Sequence, residues 1–240
     1  MVRFQKDMES VKNNTIVVIP SYNEARTIGG IVLDIVNMGL SVLVIDDGST
    51  DSTERLALDN GALVLRHRGN TGKGFSVREG IKHVILKTNF KWVIIMDGDG
   101  QHRTEDIPGL MAPAEGAISP DIVIGNRMLH TKTMPLVRYL TNKFMSWLIS
   151  GICRQYIPDT QCGYRLIKVS ALKKLKLTSK KYDIESEMLI QAAEMKMKIR
   201  SVPIQTIYGA EISKIKPIRD MAKFCMLILR HHFKRNKDTR

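Results

Sequence analysis

Two aspartates separated by a glycine, in Asp97-Gly98-Asp99-Gly100-Gln101, follow directly on the apolar run Trp92–Met96. Carboxylates so spaced at the end of a buried strand suit a hard divalent cation, which takes oxygen ligands. Asp99 is the candidate ligand for Mg²⁺ or Mn²⁺, with Gln101 adding a neutral oxygen. A lone Asp-x-Asp is about as often a polar turn facing water, so its neighbours decide its meaning. Three further polar clusters close apolar runs in the same way: Tyr22-Asn23-Glu24, Asp46-Asp47, and Arg68 to Lys73. Carboxylates alone would repel a phosphorylated ligand. A metal ion bridging them to a diphosphate, with Lys73 as a further counter-charge, resolves that conflict.

The elements that must position these clusters alternate along the chain. Thr15–Pro20, Ser41–Ile45, Ala62–Leu65 and Trp92–Met96 read as short buried strands. Ala25–Met38, Ser52–Asn60 and Phe75–Lys87 read as the helices between them, with Gly39 and Gly61 as stop signals. The loop His67–Gly74 is too glycine-rich to be regular. This alternation predicts βαβ units and an α/β fold with a mostly parallel sheet flanked by helices. In such a sheet ligands bind outside the carboxyl ends of the strands, where all four clusters fall. Asp121–Gly125 is a further buried strand running into Asn126-Arg127. Pro158–Arg165 is a loop before a short strand, Leu166–Val169; Ile184–Met195 is a helix, Ile199–Ile207 is extended, and Pro217–Phe233 is a last helix.

The 240 residues carry a formal net charge of +13, which points to an anionic partner: a nucleotide, a nucleic acid or a membrane surface. Three cysteines (Cys153, Cys162, Cys225) are too few and scattered for a disulfide framework or a four-ligand zinc site. With a polar N-terminus and no segment of about 18 uninterrupted apolar residues, the expectation is a cytoplasmic protein without a transmembrane helix. Gly69-Asn70-Thr71-Gly72-Lys73-Gly74 fails as a P-loop, because two residues rather than four separate its glycines and Gly74 follows the lysine. No nucleic-acid motif appears, and the aspartate clusters oppose a phosphate backbone, so nucleic acid is not expected as a partner.

Taken in order, Val18-Ile19-Pro20-Ser21-Tyr22-Asn23-Glu24, Val44–Asp51, Gly69–Gly74 and Asp97–His102 resemble the motifs of family 2 glycosyltransferases. The nearest branch makes polyprenyl-phosphate sugars, as dolichyl-phosphate mannose synthase and its bacterial relatives do, and the likeness runs from about Thr15 to Asp220. It implies a GT-A nucleotide-sugar fold and an inverting transfer from a GDP- or UDP-hexose, mannose or glucose, to a polyprenyl phosphate. By motif, Pro20, Tyr22, Glu24, Ile45, Asp47, Lys73, Met96, Asp97 and Gly98 would bind the nucleotide sugar. Asp99 and Gln101 would hold the metal, and Arg127 would meet the phosphates. Lys214, in Tyr208–Lys214, takes the place of a phosphate-binding lysine. Thr206 stands where the family usually has arginine.

An acceptor phosphate is already anionic and needs no general base, only cations that position it, for which Arg127 and Arg138 are candidates. A sugar or protein hydroxyl would need a base. Asp159, Asp183 and Glu185 could supply it, Asp159 lying in a loop that the family places near the acceptor, although capping is the ordinary role for the latter two. The expected divisions are a polar segment over 1–14, a catalytic domain over 15–216 and a basic amphipathic helix and tail over 217–240. That last helix suits a peripheral seat on the cytoplasmic face of a membrane. The apolar stretch Met134–Tyr156 also bears on a lipid, although core packing is its ordinary explanation.

Overall fold

The computed structural model describes residues 9–116, 118–129, 131, 134–179 and 184–207. Lys214, Asp183, Cys225 and the helix expected over Pro217–Phe233 lie outside them. Seven strands form one sheet: β1 (Thr15–Ser21), β2 (Ser41–Asp46), β3 (Leu63–Arg66), β4 (Trp92–Ile95), β5 (Ile122–Asn126), β6 (Arg165–Lys168) and β7 (Ile199–Pro203), in the order β3-β2-β1-β4-β6-β5-β7. Every residue of β1, β4 and β5 is buried. Their continuous Val/Ile runs are what a sheet covered on both faces requires.

Strands β1, β2, β3 and β4 are mutually parallel, and β7 is parallel to β5. Strand β6 alone runs against its neighbours, pairing Ile95 with Arg165 and Ile124 with Arg165. This reversal decides the shape of the site. Six strands deliver their carboxyl ends to one edge, and β6 delivers its amino end there, so the loop before Arg165 joins the loops after β1 to β5.

Helices α1 (Ile28–Asn37) and α2 (Thr53–Asp59) follow β1 and β2, and α3 (Lys73–Lys87) follows β3. The start of α3 differs from the sequence expectation. Gly72, at φ +98°, ends the loop, and its carbonyl accepts from the amides of Phe75 and Ser76, closing the first turn two residues earlier than periodicity indicates. Lys73 is therefore a first-turn helical residue rather than a loop residue. A short helix α4 (Ile107–Met111) precedes β5 and was not apparent in the sequence pattern; it buries Ile107, Leu110 and Met111. Beyond β5 come α5 (Leu136–Cys153), a single turn α6 (Val169–Leu172) and α7 (Ile184–Glu194).

Helix α5 bears out the core-packing expectation for the stretch Met134–Tyr156 on one side only. Its core side is Asn142, Met145, Ser146, Ile149 and Cys153. Leu136, Val137, Leu140, Phe144 and Trp147 are exposed, because the core-facing arc is only about a third of the helix surface and the apolar residues continue round to the other side.

Candidate active site

At the β1–β2 end, the two loops are laced into one unit. The Asn23 amide donates to Ser49 Oγ (2.9 Å), the Glu24 amide to Thr53 Oγ1 (2.8 Å), and the Thr50 amide to Asn23 Oδ1 (2.8 Å). Asp51 receives the Ala25 and Thr53 amides. Asp47 ties this unit to the glycine-rich loop: Oδ1 accepts from the Thr71 amide (2.9 Å) and pairs with His67 Nδ1 (2.8 Å), while Oδ2 accepts from the Gly72 amide (2.7 Å). Burial alone would raise the Asp47 pKa, but the bonds from Thr71, His67 and Gly72 together hold it below its ordinary value. Of the residues expected to line the nucleotide pocket, Tyr22 is exposed and Glu24 half-buried, whereas Pro20, Ile45 and Met96 are buried.

The Asp97–Gln101 loop leaves β4 in the middle of this edge. Thr27 Oγ1 donates to the Gly98 carbonyl (2.6 Å), fastening the loop to the start of α1. Asp99 Oδ1 accepts from the Gln101 amide (3.0 Å), a turn that Gly100 permits with its φ of +76°. Asp99 and Gln101 are both half-buried. Among the described residues no group of three His, Cys, Asp or Glu side chains is arranged to hold a metal ion. That donor set fits Mg²⁺ or Mn²⁺ of the kind that takes one or two carboxylates from the protein and completes its shell with water and substrate phosphate. It does not fit an all-protein cage.

Asp97 has a different partner. Lys73 Nζ lies 2.7 Å from Asp97 Oδ1 and 2.9 Å from Glu185 Oε1. Burial alone would lower the Lys73 ammonium, but Asp97 and Glu185 raise it well above its usual range. Burial likewise opposes ionisation of Asp97, and Lys73 reverses this, with Arg127 assisting. A lysine in the first turn of a helix meets the positive end of the macrodipole; the two carboxylates account for its position. Gly163 packs over the pair so closely that a Cβ there would lie 3.1 Å from Lys73 Nζ and 3.2 Å from Asp97 Oδ2. Glu185 is therefore the buried partner of Lys73, not the solvated cap its place at the start of a helix suggests.

At the β5–β6 end stands a buried ion pair. Arg127 Nε donates to Asp159 Oδ2 (2.7 Å), Nη2 to Oδ1 (2.8 Å), and the Arg127 amide to Oδ2 (3.1 Å). The Asp159 side chain has no exposed surface and Arg127 only 6%. Both oxygens of Asp159 thus accept from Arg127, which fixes the orientation of the guanidinium. Arg165, wholly buried, donates to the carbonyls of Thr160, Cys162 and Glu185 at 2.8–2.9 Å. It binds the Asp159 loop to the start of α7, and no periodicity in the sequence marks it; the signal was a lone arginine opening an apolar strand. Arg138 is half-buried in the first turn of α5. His102, unassigned by sequence, is buried against Tyr164 with ring centroids 4.9 Å apart. Burial pushes its imidazole down to about 4; Asp97 opposes this, and Arg127 and Lys73 add to it. His102 is a neutral packing ring, and Thr206 bridges to it through the backbone.

Comparison with known proteins identifies the family and the fold. The family model for glycosyl transferase family 2 matches residues 16–176. The chain is 36% identical to the uncharacterized protein MJ1222 of Methanocaldococcus jannaschii, over 82% of this chain and 83% of that one. It is 30% identical to the UDP-N-acetylglucosamine–dolichyl-phosphate N-acetylglucosaminyltransferase of Methanococcus voltae (80% and 85% covered) and 30% identical to the undecaprenyl-phosphate mannosyltransferase of Micrococcus luteus (84% and 86%). Among solved structures, glucosyl-3-phosphoglycerate synthase of Mycobacterium tuberculosis, in complex with Mn²⁺, UDP and phosphoglyceric acid, superposes with a TM-score of 0.70 at 18% identity, covering 90% of this chain and 77% of that one. Mannosyl-3-phosphoglycerate synthase of Rubrobacter xylanophilus gives 0.72 at 19% identity, covering 98% and 77%. The sheet edge that gathers the Asp97–Gln101 loop with Arg127 is that of the GT-A fold, and the chain belongs to glycosyl transferase family 2 and is a glycosyltransferase.

Proposed function

We propose that the protein is an inverting, divalent-metal-assisted hexosyltransferase that moves mannose or glucose from a GDP- or UDP-sugar to a polyprenyl phosphate. One observation carries the choice of acceptor. Three carboxylates deep in the site are paired with cations: Asp97 and Glu185 with Lys73, and Asp159 with Arg127. A hydroxyl acceptor needs a base to take its proton; a phosphate monoester, already anionic at neutral pH, does not. The similar proteins named for dolichyl phosphate and undecaprenyl phosphate acceptors support the same reading.

In this mechanism the laced loops after β1 and β2 hold the nucleoside, with Tyr22, Glu24 and Asp47 on the base and ribose side. Asp99 and Gln101 would hold Mg²⁺ or Mn²⁺, whose charge, when bound, offsets that of the donor diphosphate. Arg127, oriented by Asp159, presents a guanidinium to phosphate, with Arg138 and Lys214 as further cations. An acceptor phosphate oxygen attacks the anomeric carbon from the face opposite the diphosphate. The bond to the leaving phosphate oxygen breaks as the new C–O bond forms, which inverts the configuration. The work of the chain is to position two anions against each other, and that needs fixed cations more than a proton acceptor. The enzyme would act at the cytoplasmic face of a membrane; among the described residues no helix is long and apolar enough to cross one.

Purified protein, a radiolabelled sugar nucleotide and polyprenyl phosphate with Mg²⁺ or Mn²⁺ should give a lipid-linked monosaccharide. Product formation that persists in excess chelator, or in Asp99→Ala, would remove the metal from the mechanism. A second reading, transfer to a saccharide or protein hydroxyl, rests on Glu185 Oε2, a buried oxygen with no hydrogen-bond partner among the described residues. Soluble sugar acceptors tested beside the lipid phosphate separate the two: glycosylation of the sugars alone would replace the first reading with the second.

A further inference from the structure

The two sides of α5 have unlike partners. On the inner side, Ser146 Oγ accepts from the Thr160 amide (2.9 Å), and Ser150 Oγ accepts from the Ile157 amide (3.0 Å) while donating to the Ile157 carbonyl (3.1 Å). The helix thereby clamps the stretch that carries Asp159, and through it Arg127. On the outer side, Leu136, Val137, Leu140, Phe144 and Trp147 recur at spacings of three and four and form a continuous apolar strip. Leu136 and Trp147 are each 70% exposed, and the Phe144 and Trp147 rings lie 6.0 Å apart. The charged residues of this helix are Arg138 and Lys143; it contains no Asp or Glu.

We propose that the outer face of α5 seats in the interfacial layer of an anionic phospholipid bilayer and so holds the Arg127–Asp159 end of the site at headgroup level. A contiguous exposed apolar strip marks a docking surface, and the charge pattern identifies its occupant. A cation-only helix on a chain of net charge +13 is repelled by a second copy of itself and by the basic stretch over 208–240, and attracted by anionic headgroups. Helix α5 does not qualify as a membrane span; a strip of large apolar side chains flanked by cations is the form of a helix lying in the interface. The seating deepens the polyprenyl-phosphate reading and rests on it for its purpose, since a lipid phosphate presents its reacting oxygen at that depth.

The test uses the full chain and vesicles of phosphatidylcholine, with or without phosphatidylglycerol, free of polyprenyl phosphate. The two tryptophans separate cleanly: Trp92 is buried in β4 and Trp147 is exposed. The wild type should float with anionic vesicles and show a blue shift in tryptophan emission, and that shift should vanish in Trp147→Phe. Leu140→Glu combined with Phe144→Glu, both at exposed positions, should keep the wild-type Tm and lower vesicle partition at least roughly tenfold, the equivalent of about 1.4 kcal/mol. Equal flotation of wild type and the double variant would overturn the proposal. So would a protein-concentration-dependent blue shift without lipid, which would make the strip a dimer interface. Transfer to a short water-soluble isoprenyl phosphate, assayed in parallel, keeps the readings apart. Turnover without flotation sinks the seating and leaves the acceptor, whereas flotation that the double variant loses, without turnover, upholds the seating and sinks the acceptor.

Discussion

At the β1–β3 end of the sheet, the site loops are tied by short polar side chains to backbone amides: Asn23, Ser49, Asp51 and Thr53 in one group, Asp47 with Thr71 and Gly72 in another. At the β5–β6 end, the fasteners are buried charges, Arg127 on Asp159 and Arg165 on three carbonyls. Lys73, at the start of α3, bridges Asp97 in the middle of the edge to Glu185 beside the second end. The first end is many modest bonds, each replaceable by water. The second is a few charges whose removal from water is compensated only while every partner is present. Loss of one partner should therefore be tolerated at the first end and damaging at the second.

The largest effect is expected from Asp159→Ala. It leaves the Arg127 guanidinium buried without its carboxylate, and chemical denaturation should show a loss of about 3–5 kcal/mol. Replacing both partners, as Arg127→Met with Asp159→Leu, should restore most of that stability while transfer activity stays abolished. A loss below about 1 kcal/mol for the single variant would mean that the pair is not what holds this end. Next comes Lys73→Met, which strands Asp97 and Glu185 against each other. The three side chains retain 10–24% exposure, so water softens the penalty to about 2–3 kcal/mol. Adding Glu185→Gln should recover part of it; if stability falls further, Lys73 does not mediate between the two ends.

A smaller change is expected for Asp47→Asn at the laced end, about 1–2 kcal/mol, since neutral hydrogen bonds can remain. The pH dependence sharpens the point. The Asp47 pKa is held below its ordinary 3.8, so its contribution is complete above that value and is lost as pH falls through the folded value. Urea midpoints measured from pH 6 down to pH 2 should show a shallower acid limb in the variant, and an unchanged limb would exclude Asp47 as a fastener. The smallest effect concerns the thiols of the second end. Burial pushes Cys153 up to about 11 and Cys162 up to about 12, which keeps both protonated and poorly nucleophilic. Iodoacetamide at pH 8 should leave both unmodified in the native protein, as read by peptide mass mapping, and alkylate them in urea. Native labelling of Cys162 would show that the charged end opens readily.

How much could be read beforehand follows the same division. The strand ends at Tyr22–Glu24, Asp46-Asp47 and Asp97–Gln101 were visible because each motif is contiguous and sits directly after an apolar run. The parallel sheet that brings them to one edge follows from the βαβ alternation. Asp159 reads from the sequence as an acid that could act as a base, and Glu185 as that or as a helix cap. Nothing nearby in the chain showed that one would be consumed by Arg127 and the other by Lys73. Helix α5 was visible as apolar, but richness in apolar residues does not say which of them turn inward.

The amino-acid sequence by itself determined the α/β class, the sheet edge at which the polar strand-end clusters gather, and residue types suited to a hard cation. These rest on interactions local in the chain: periodicity, turn chemistry and strand-end motifs. Only the tertiary structure decided which charges neutralise one another, which carboxylates are left for chemistry, and which side of α5 faces out. Those outcomes depend on the antiparallel entry of β6, which carries Arg165 and the Asp159 loop to an edge otherwise made of strand carboxyl ends. A buried charge is stable only where partners from separate segments converge, and that convergence is a property of the folded chain.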